Sequence, residues 1–352
     1  MKIVQLAPFE EQVPPRKYGG TELIVSNLTE ELVKRGHEVS LFASGDSKTT
    51  AKLIPICPEA IRLLPEAQDM KIRDMIKIAG VGRILEILNK TKADIIHNHL
   101  GWRLFPFISL LDAPVVNTLH YPLAADWVKF IHKKFGNLNF VSISDSQRKP
   151  LPDLNYVANV YNGIDIKNLE FNEKPKDYFA FLGRMSPEKG PVEAIKIAKL
   201  AGVNLKMAAK VDIADTDYFE KEVKPLIDGK QIEFVGEIGP EEKSDFLKNA
   251  VGLLSPIQWE EPFGLFFVEA MACGTPVIAC KRGSVPEIVE NGKNGFIINT
   301  IDEGVLAVKK IGRIDRANCR KSVEKKFTTE IMANEYEKVY KKFSSFIEYS
   351  KN

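Results

Sequence analysis

Strand-like and helix-like segments alternate along almost the whole chain, in two series separated by a polar pause, and this pattern narrows the fold most. Parallel strands need long crossovers, usually helices, so such alternation predicts parallel sheets with helices on their faces. Residues 2–7 read as a buried strand. A loop with Pro8, Pro14, Pro15, Gly19 and Gly20 follows. Leu23, Ile24, Leu28 and Leu32 then recur at helical spacing, with Thr21 placed to cap the helix and Gly36 to stop it. Further strand patterns cover 39–43, 94–98, 114–119 and 139–144. Tyr161-Asn162-Gly163-Ile164-Asp165 is turn-like, and 174–177 is polar. The second series has strands at 178–182, 204–208, 231–235, 251–254, 276–279 and 296–298, with helices at 192–201 and 240–250 among those between them. The expectation is an α/β protein of two Rossmann-like, doubly wound parallel-sheet domains facing a cleft. A final helical pattern over 329–349 carries an apolar stripe of Met332, Tyr336, Val339, Tyr340 and Phe343.

Length and charge agree with this division. The chain has 352 residues, enough for about two domains. Its net charge is +2, far from the basic excess of a dedicated nucleic-acid binder. No apolar run approaches the roughly 18–20 residues of a membrane span, and the strand pattern starting at Lys2 does not read as a secretory signal. Cys57, Cys273, Cys280 and Cys319 include no Cys-x-x-Cys pair, so a zinc cage or redox dithiol is not indicated. Reduced thiols in a cytoplasmic protein are expected. Arg62 to Lys92 carries seven basic and four acidic residues, and Lys129 to Lys149 five and one. A solvated helix face accounts for this small excess; weak peripheral contact with the inner membrane surface is the alternative.

Ligands of doubly wound sheets bind beyond the carboxyl ends of the strands, so loops after strands carry the search. Gly19-Gly20-Thr21-Glu22 precedes a helix, where small residues and free N–H groups admit a phosphate or sugar. It is not Gly-x-Gly-x-x-Gly, and the chain has no P-loop. Arg184 and Lys189, in Gly183-Arg184-Met185-Ser186-Pro187-Glu188-Lys189-Gly190, follow the first strand of the second series. A planar fork and a compact ammonium there suit a diphosphate. In Glu261-Pro262-Phe263-Gly264-Leu265-Phe266-Phe267-Val268-Glu269, Glu261 is a loop residue. Glu269 lies in the second turn of a helix over about 265–273, where a buried carboxylate needs a partner: ribose hydroxyls or a salt bridge. His97-Asn98-His99 and His120 also follow strands. No third ligand is spaced to join His97 and His99 around a metal. Asp215-Thr216-Asp217 has the form of an Asp-x-Asp metal motif but reads as the cap of a helix over 218–226, with Thr216 or Asp217 at the N-cap.

Together the Gly-Gly-Thr-Glu loop, the Gly-Arg-x4-Lys-Gly segment and the Glu-x7-Glu segment resemble glycosyltransferase family 4, retaining nucleotide-sugar enzymes of the GT-B fold. Val13 to Glu22, with Tyr18 before the two glycines, resembles a bacterial and archaeal subgroup of that family. The resemblance implies an acceptor-side domain over 1–168, joined by a C-terminal helix at about 333–352, and a nucleotide-sugar domain over 169–332. It implies that Arg184 and Lys189 grip the donor diphosphate, that Glu269 holds the ribose and that Glu261 contacts the transferred sugar. Gly19 and Gly20 would let the first loop approach the donor. Backbone groups of Phe263, Gly264 and Leu265 would complete the cradle. His120 would touch the sugar near its reacting centre, giving His120, Arg184, Lys189 and Glu261 as the catalytic set. Glu237, in the Gly236-Glu237-Ile238 turn, and Lys210 are placed near the base, and His97, His99 and Tyr121 on the acceptor side.

The activity implied is transfer of a hexosyl group, from a UDP-sugar by family frequency, to a hydroxyl on a sugar, lipid-linked or small-molecule acceptor. No cofactor and no essential divalent ion are expected, since positive side chains replace the metal in this fold. An epimerase of the same architecture would consume the nucleotide sugar without an acceptor. A non-catalytic nucleotide-sugar binder would not need the set Arg184, Lys189, Glu261, Glu269 and His120.

Overall fold

The computed structural model describes residues 1–17 and 19–349; Tyr18 and the last residues of the expected C-terminal helix, 350–352, lie outside them. The chain divides into two compact units. One comprises Met1–Gly163 with Thr329–Asn352, and the other Ile164–Thr328.

The N-terminal unit is built on a seven-stranded parallel sheet. Its strands are β1 (Lys2–Leu6), β2 (Glu38–Ser44), β3 (Lys52–Cys57), β4 (Ile95–Asn98), β5 (Val115–Thr118), β6 (Asn139–Ser142) and β7 (Tyr156–Asn159). Their order is β3-β2-β1-β4-β5-β6-β7, so the direction of winding reverses between β1 and β4. Gln5 of β1 lies opposite His97 of β4, and His97 opposite Val116 of β5. β1, β2, β4 and β5 are buried along most of their length and carry the apolar runs Ile3-Val4, Leu41-Phe42-Ala43, Ile95-Ile96 and Val115-Val116, which make their patterns plain in the sequence. β3 and β7 are edge strands buried only in part, and Pro55 interrupts the apolar residues of β3. The C-terminal helix Thr329–Tyr349 belongs to this unit, with Tyr336 and Tyr340 fully buried.

The C-terminal unit holds a six-stranded parallel sheet of β8 (Tyr178–Arg184), β9 (Asn204–Lys210), β10 (Ile232–Gly236), β11 (Leu253–Ser255), β12 (Val277–Cys280) and β13 (Gly295–Ile298). The order is β10-β9-β8-β11-β12-β13, reversing between β8 and β11. Phe179, Phe181, Leu205, Met207, Leu253 and Ile278 fill its interior.

Two local expectations are corrected. The first helix begins at Gly20 with Gly19 in the cap position, so Thr21 lies inside the helix and caps nothing. The region 218–226 is not one α-helix. A turn at Thr216–Tyr218 widens to a π-turn over Phe219–Val223 and tightens over Lys224–Leu226. Pro225, with no N–H and a ring that crowds the preceding turn, explains the break. Neither Thr216 nor Asp217 caps it; Asp215 precedes the first turn without a side-chain bond to it.

Candidate functional site

In the C-terminal unit the candidate residues gather where β8 and β11 end, at the reversal of strand order. β8 carries Arg184 as its last residue, and Lys189 closes the short turn Pro187–Lys189. Gly190 then takes φ +70°, and a Cβ there would stand 2.2 Å from the carbonyl oxygen of Pro256. Only a glycine lets the β8 loop lie this close to the β11 loop. The Gln258 backbone N–H secures the approach by donating to the Glu188 carbonyl at 2.8 Å. Lys189 consequently meets Glu261, 72 residues further on, and the two are paired in the interior, 8% and 7% exposed. The Trp259 indole N–H donates to the same carboxylate oxygen at 3.1 Å. The Lys189 ammonium also lies over the rings of Trp259 and Phe266, 4.6 and 5.0 Å from their centroids. Behind Glu261, Gly283 holds φ +53° where a Cβ would collide with the Glu261 backbone.

Arg184 is held by carboxylates. Its guanidinium pairs with Glu188, and its Nε lies 3.1 Å from Asp215 Oδ2. Burial pushes the Asp215 carboxyl up, with Arg184 opposing that effect. Burial also raises Glu188, but its own backbone N–H, Arg184 and Ser186 outweigh this and hold it below the usual carboxylate range. Asp215 is therefore a partner of Arg184, while Asp217 is exposed and paired with Lys221 at 2.9 Å. Glu269 lies in helix Leu265–Ala272, buried, with Lys243 at 2.7 Å from its Oε1. The salt-bridge partner weighed for it in the sequence is thus present. Helix Leu265–Ala272 starts after Gly264 without a side-chain cap, and the Phe263 carbonyl accepts from the Ser284 hydroxyl at 2.7 Å. Glu237 follows β10 at the sheet edge, with β9 between it and β8; Lys210 ends β9 and pairs with Asp212 at 3.5 Å.

In the N-terminal unit the reversal between β1 and β4 carries a buried hydrogen-bonded network. His120 Nε2 is 2.8 Å from His99 Nδ1, and His99 Nε2 is 2.9 Å from Gln5 Oε1. Gln5 Nε2 is 3.2 Å from the Tyr340 hydroxyl, which is 2.6 Å from His97 Nδ1. His97 Nε2 is 2.6 Å from Thr118 Oγ1, and that hydroxyl is 2.9 Å from the Tyr336 hydroxyl. This corrects the acceptor-side assignment of His97 and His99. Both are buried, and both ring nitrogens of each are bonded inside the unit, leaving none for an acceptor. Burial, with the neighbouring imidazoles adding to it, holds both well below the ordinary histidine range. His120 is partly exposed, and burial lowers it to about 4. Tyr121 is half-buried, its hydroxyl 3.0 Å from His132 Nε2. Gly19 packs on Pro15, where a Cβ would lie 2.7 Å from the Pro15 Cβ. The adjacent Glu22 is buried, and desolvation raises its carboxyl to about 7.

Sequence reasoning missed the partners: Trp259, Glu188 and Lys243 in one unit, and Gln5, Thr118, Tyr336, Tyr340 and His132 in the other. Glu188 and Trp259 lay within a few residues of their targets and could have been found. Lys243 and Tyr340 carried no local signal.

Two family models match consecutive parts of the chain: Glycosyltransferase Family 4 over residues 18–168 and Glycosyl transferases group 1 over 164–314. Together the two models span residues 18–314, and over that span the chain resembles glycosyltransferase family 4. Its fold is that of the GT-B glycosyltransferases. AviGT4, a glycosyltransferase involved in avilamycin A biosynthesis, superposes with a TM-score of 0.74 at 22% identity over 98% of both chains. Anabaena HepE, solved in complex with UDP and glucose, gives 0.73 at 19% identity over 97% of this chain and all of its own. An uncharacterized glycosyltransferase of Methanocaldococcus jannaschii is 25% identical over 355 residues, spanning 93% of this chain and 95% of its own length. The D-inositol 3-phosphate glycosyltransferase of Mycolicibacterium smegmatis is 24% identical over 81% of this chain and 76% of its own. No helix among the described residues is long and apolar enough to cross a membrane.

Proposed function

We propose that this glycosyltransferase moves a hexosyl group from a nucleotide-diphosphate sugar to an acceptor hydroxyl, with retention of configuration and without an essential divalent ion. The observation that carries the reading is the meeting of Lys189 with Glu261 beside Arg184 at the β8/β11 reversal, the place where doubly wound sheets take their ligands. The C-terminal unit would hold the donor and the N-terminal unit serve the acceptor. A donor diphosphate would replace Glu188 and Asp215 as the partner of Arg184, and Lys189 would neutralise the charge that develops on the leaving group. Glu261 would remain oriented by Trp259 to receive sugar hydroxyls, and Glu269 would receive the ribose. The C1–O bond to the diphosphate breaks as the acceptor oxygen attacks from the same face. The departing phosphate oxygen takes the acceptor's proton. UDP is favoured as the nucleotide because structural neighbours such as HepE bind UDP and UDP-glucose.

The test is a thermal-shift panel of UDP-, GDP- and ADP-sugars, since a ligand that binds only the folded state raises its stability. A UDP-sugar should raise Tm by the largest amount. Arg184→Ala should then lower transfer by about 10²–10³-fold, the range for losing one preorganised electrostatic contact. A chain that none of the panel stabilises, or an Arg184→Ala enzyme with unchanged transfer, would refute the assignment. An anomeric proton of inverted configuration in the product would refute retention.

A further inference from the structure

The histidine network in the N-terminal unit has a direction. An amide oxygen only accepts and an amide nitrogen only donates, so the orientation of Gln5 fixes the protons of His99 and His120. Gln5 Oε1 faces His99 Nε2, so that nitrogen carries the hydrogen and His99 Nδ1 is an acceptor. His120 must then donate from its Nε2 to His99. On the other side Gln5 Nε2 donates to the Tyr340 hydroxyl, which is bonded in turn to His97 Nδ1. His97 Nε2 and the Thr118 and Tyr336 hydroxyls continue the line, and since a hydroxyl both donates and accepts, the direction set by the amide ends at Tyr340. His99 and His120 are therefore neutral Nε2–H tautomers. His132 is the opposite case: its Nδ1 donates to the Val128 carbonyl at 2.8 Å, so its Nε2 accepts from Tyr121.

The geometry points to Gln5, His99 and Tyr340 as positioning residues that hold His120 in the Nε2–H tautomer, so that its remaining nitrogen, Nδ1, presents a lone pair to a ligand. A lone pair accepts from a hydroxyl and repels a phosphate or carbonyl oxygen. The arrangement selects a sugar O–H as the partner of His120 and places the origin of that choice in the C-terminal helix, through Tyr340. Burial supports the neutral state, since it lowers His120 to about 4. The hydroxyl ligand rests on the sugar-transfer reading above; the tautomer does not.

The experiment is long-range ¹H–¹⁵N correlation NMR on the full-length, histidine-labelled protein at pH 7, without ligand, with signals assigned by single His→Gln variants. In the wild-type protein His99 and His120 should show Nε2–H and His132 Nδ1–H. In Tyr340→Phe, Gln5 loses the hydroxyl that orients it. His120 should then shift to a mixture of tautomers while His132, the control for an intact unit, stays as it was. An Nδ1–H or a charged His120 in the wild type overturns the inference, as does an unchanged His120 in Tyr340→Phe with His132 intact. If that variant does not fold, the wild-type spectrum alone decides. A protein with the expected tautomers that no nucleotide sugar stabilises would sink the sugar-transfer reading and leave the relay standing. The reverse result would sink the relay alone.

Discussion

At the reversal of strand order in the N-terminal unit the polar groups are imidazoles, an amide and hydroxyls; at the corresponding place in the C-terminal unit they are a buried ammonium, a partly exposed guanidinium and carboxylates. All five histidines lie in the first unit. Burial drives the first unit's groups to their uncharged forms: His97, His99 and His120 fall, and the carboxyl of Glu22 rises. In the second unit, charged side chains meet opposite charges or neutral acceptors. Lys189 has Glu261, Lys243 has Glu269, and Arg316 donates to the carbonyls of Asn172, Lys248 and Ala250 and to the Thr275 hydroxyl. Both solutions avoid an unpaired buried charge. They differ in what disturbs them: pH acts on the first, removal of one partner on the second.

The largest effect should come from breaking a pair. Lys189→Met leaves Glu261 buried without its cation and should cost about 3–5 kcal/mol in urea denaturation. Adding Glu261→Gln to it should recover much of that loss. A single variant within about 1 kcal/mol of wild type would show that water already screens the pair.

Acid should act on the other unit. Folded His97, His99 and His120 lie below the ordinary value of 6.5, so their contribution is present above pH 6.5 and falls away in acid, for His120 as pH falls toward 4. For His120 alone the loss approaches about 3 kcal/mol, and His97 and His99 add to it. Hydrogen exchange from pH 7 to 4.5 should show the N-terminal unit opening first. Equal loss in both units would erase the contrast.

Glu22 has the opposite sign. Its folded value of about 7 exceeds the unfolded 4.5, so the native state binds the extra proton and loses stability as pH rises from 4.5 to 7. Glu22→Gln should leave stability unchanged below pH 4 and raise it by up to about 3 kcal/mol at pH 8. A variant with the wild-type pH profile would mean that the carboxyl is solvated.

The smallest effect is expected at Tyr121→Phe, which removes one hydroxyl bond to His132 and should cost about 1 kcal/mol by thermal denaturation. A loss above about 3 kcal/mol would place Tyr121 in the interior network rather than at its margin.

The buried strands were legible because apolar runs between turn residues have few other uses. The edge strands β3 and β7 were not: β3 carries Pro55, which argues against a strand, and β7 is a four-residue segment buried only in part. The candidate site divided in the same way. Arg184, Lys189, Glu261 and Glu269 stood out by type and by position after strands. Period-two spacing already put His97 with His99, and Thr118 with His120, on one strand face. What that face met was not visible: Tyr336 and Tyr340 come from a helix more than 200 residues later in the chain.

By itself, then, the sequence determined two doubly wound sheets and a set of chemically apt residues in the loops that follow their strands. Local patterns report which groups must be buried and where chains turn. Only the tertiary structure decided their partners: Glu188 and Asp215 on Arg184, Glu261 and Trp259 on Lys189, and Gln5 between His99 and Tyr340. A polar group is satisfied by whatever the fold carries within about 3 Å of it, and that distance is set by packing between segments far apart in the chain.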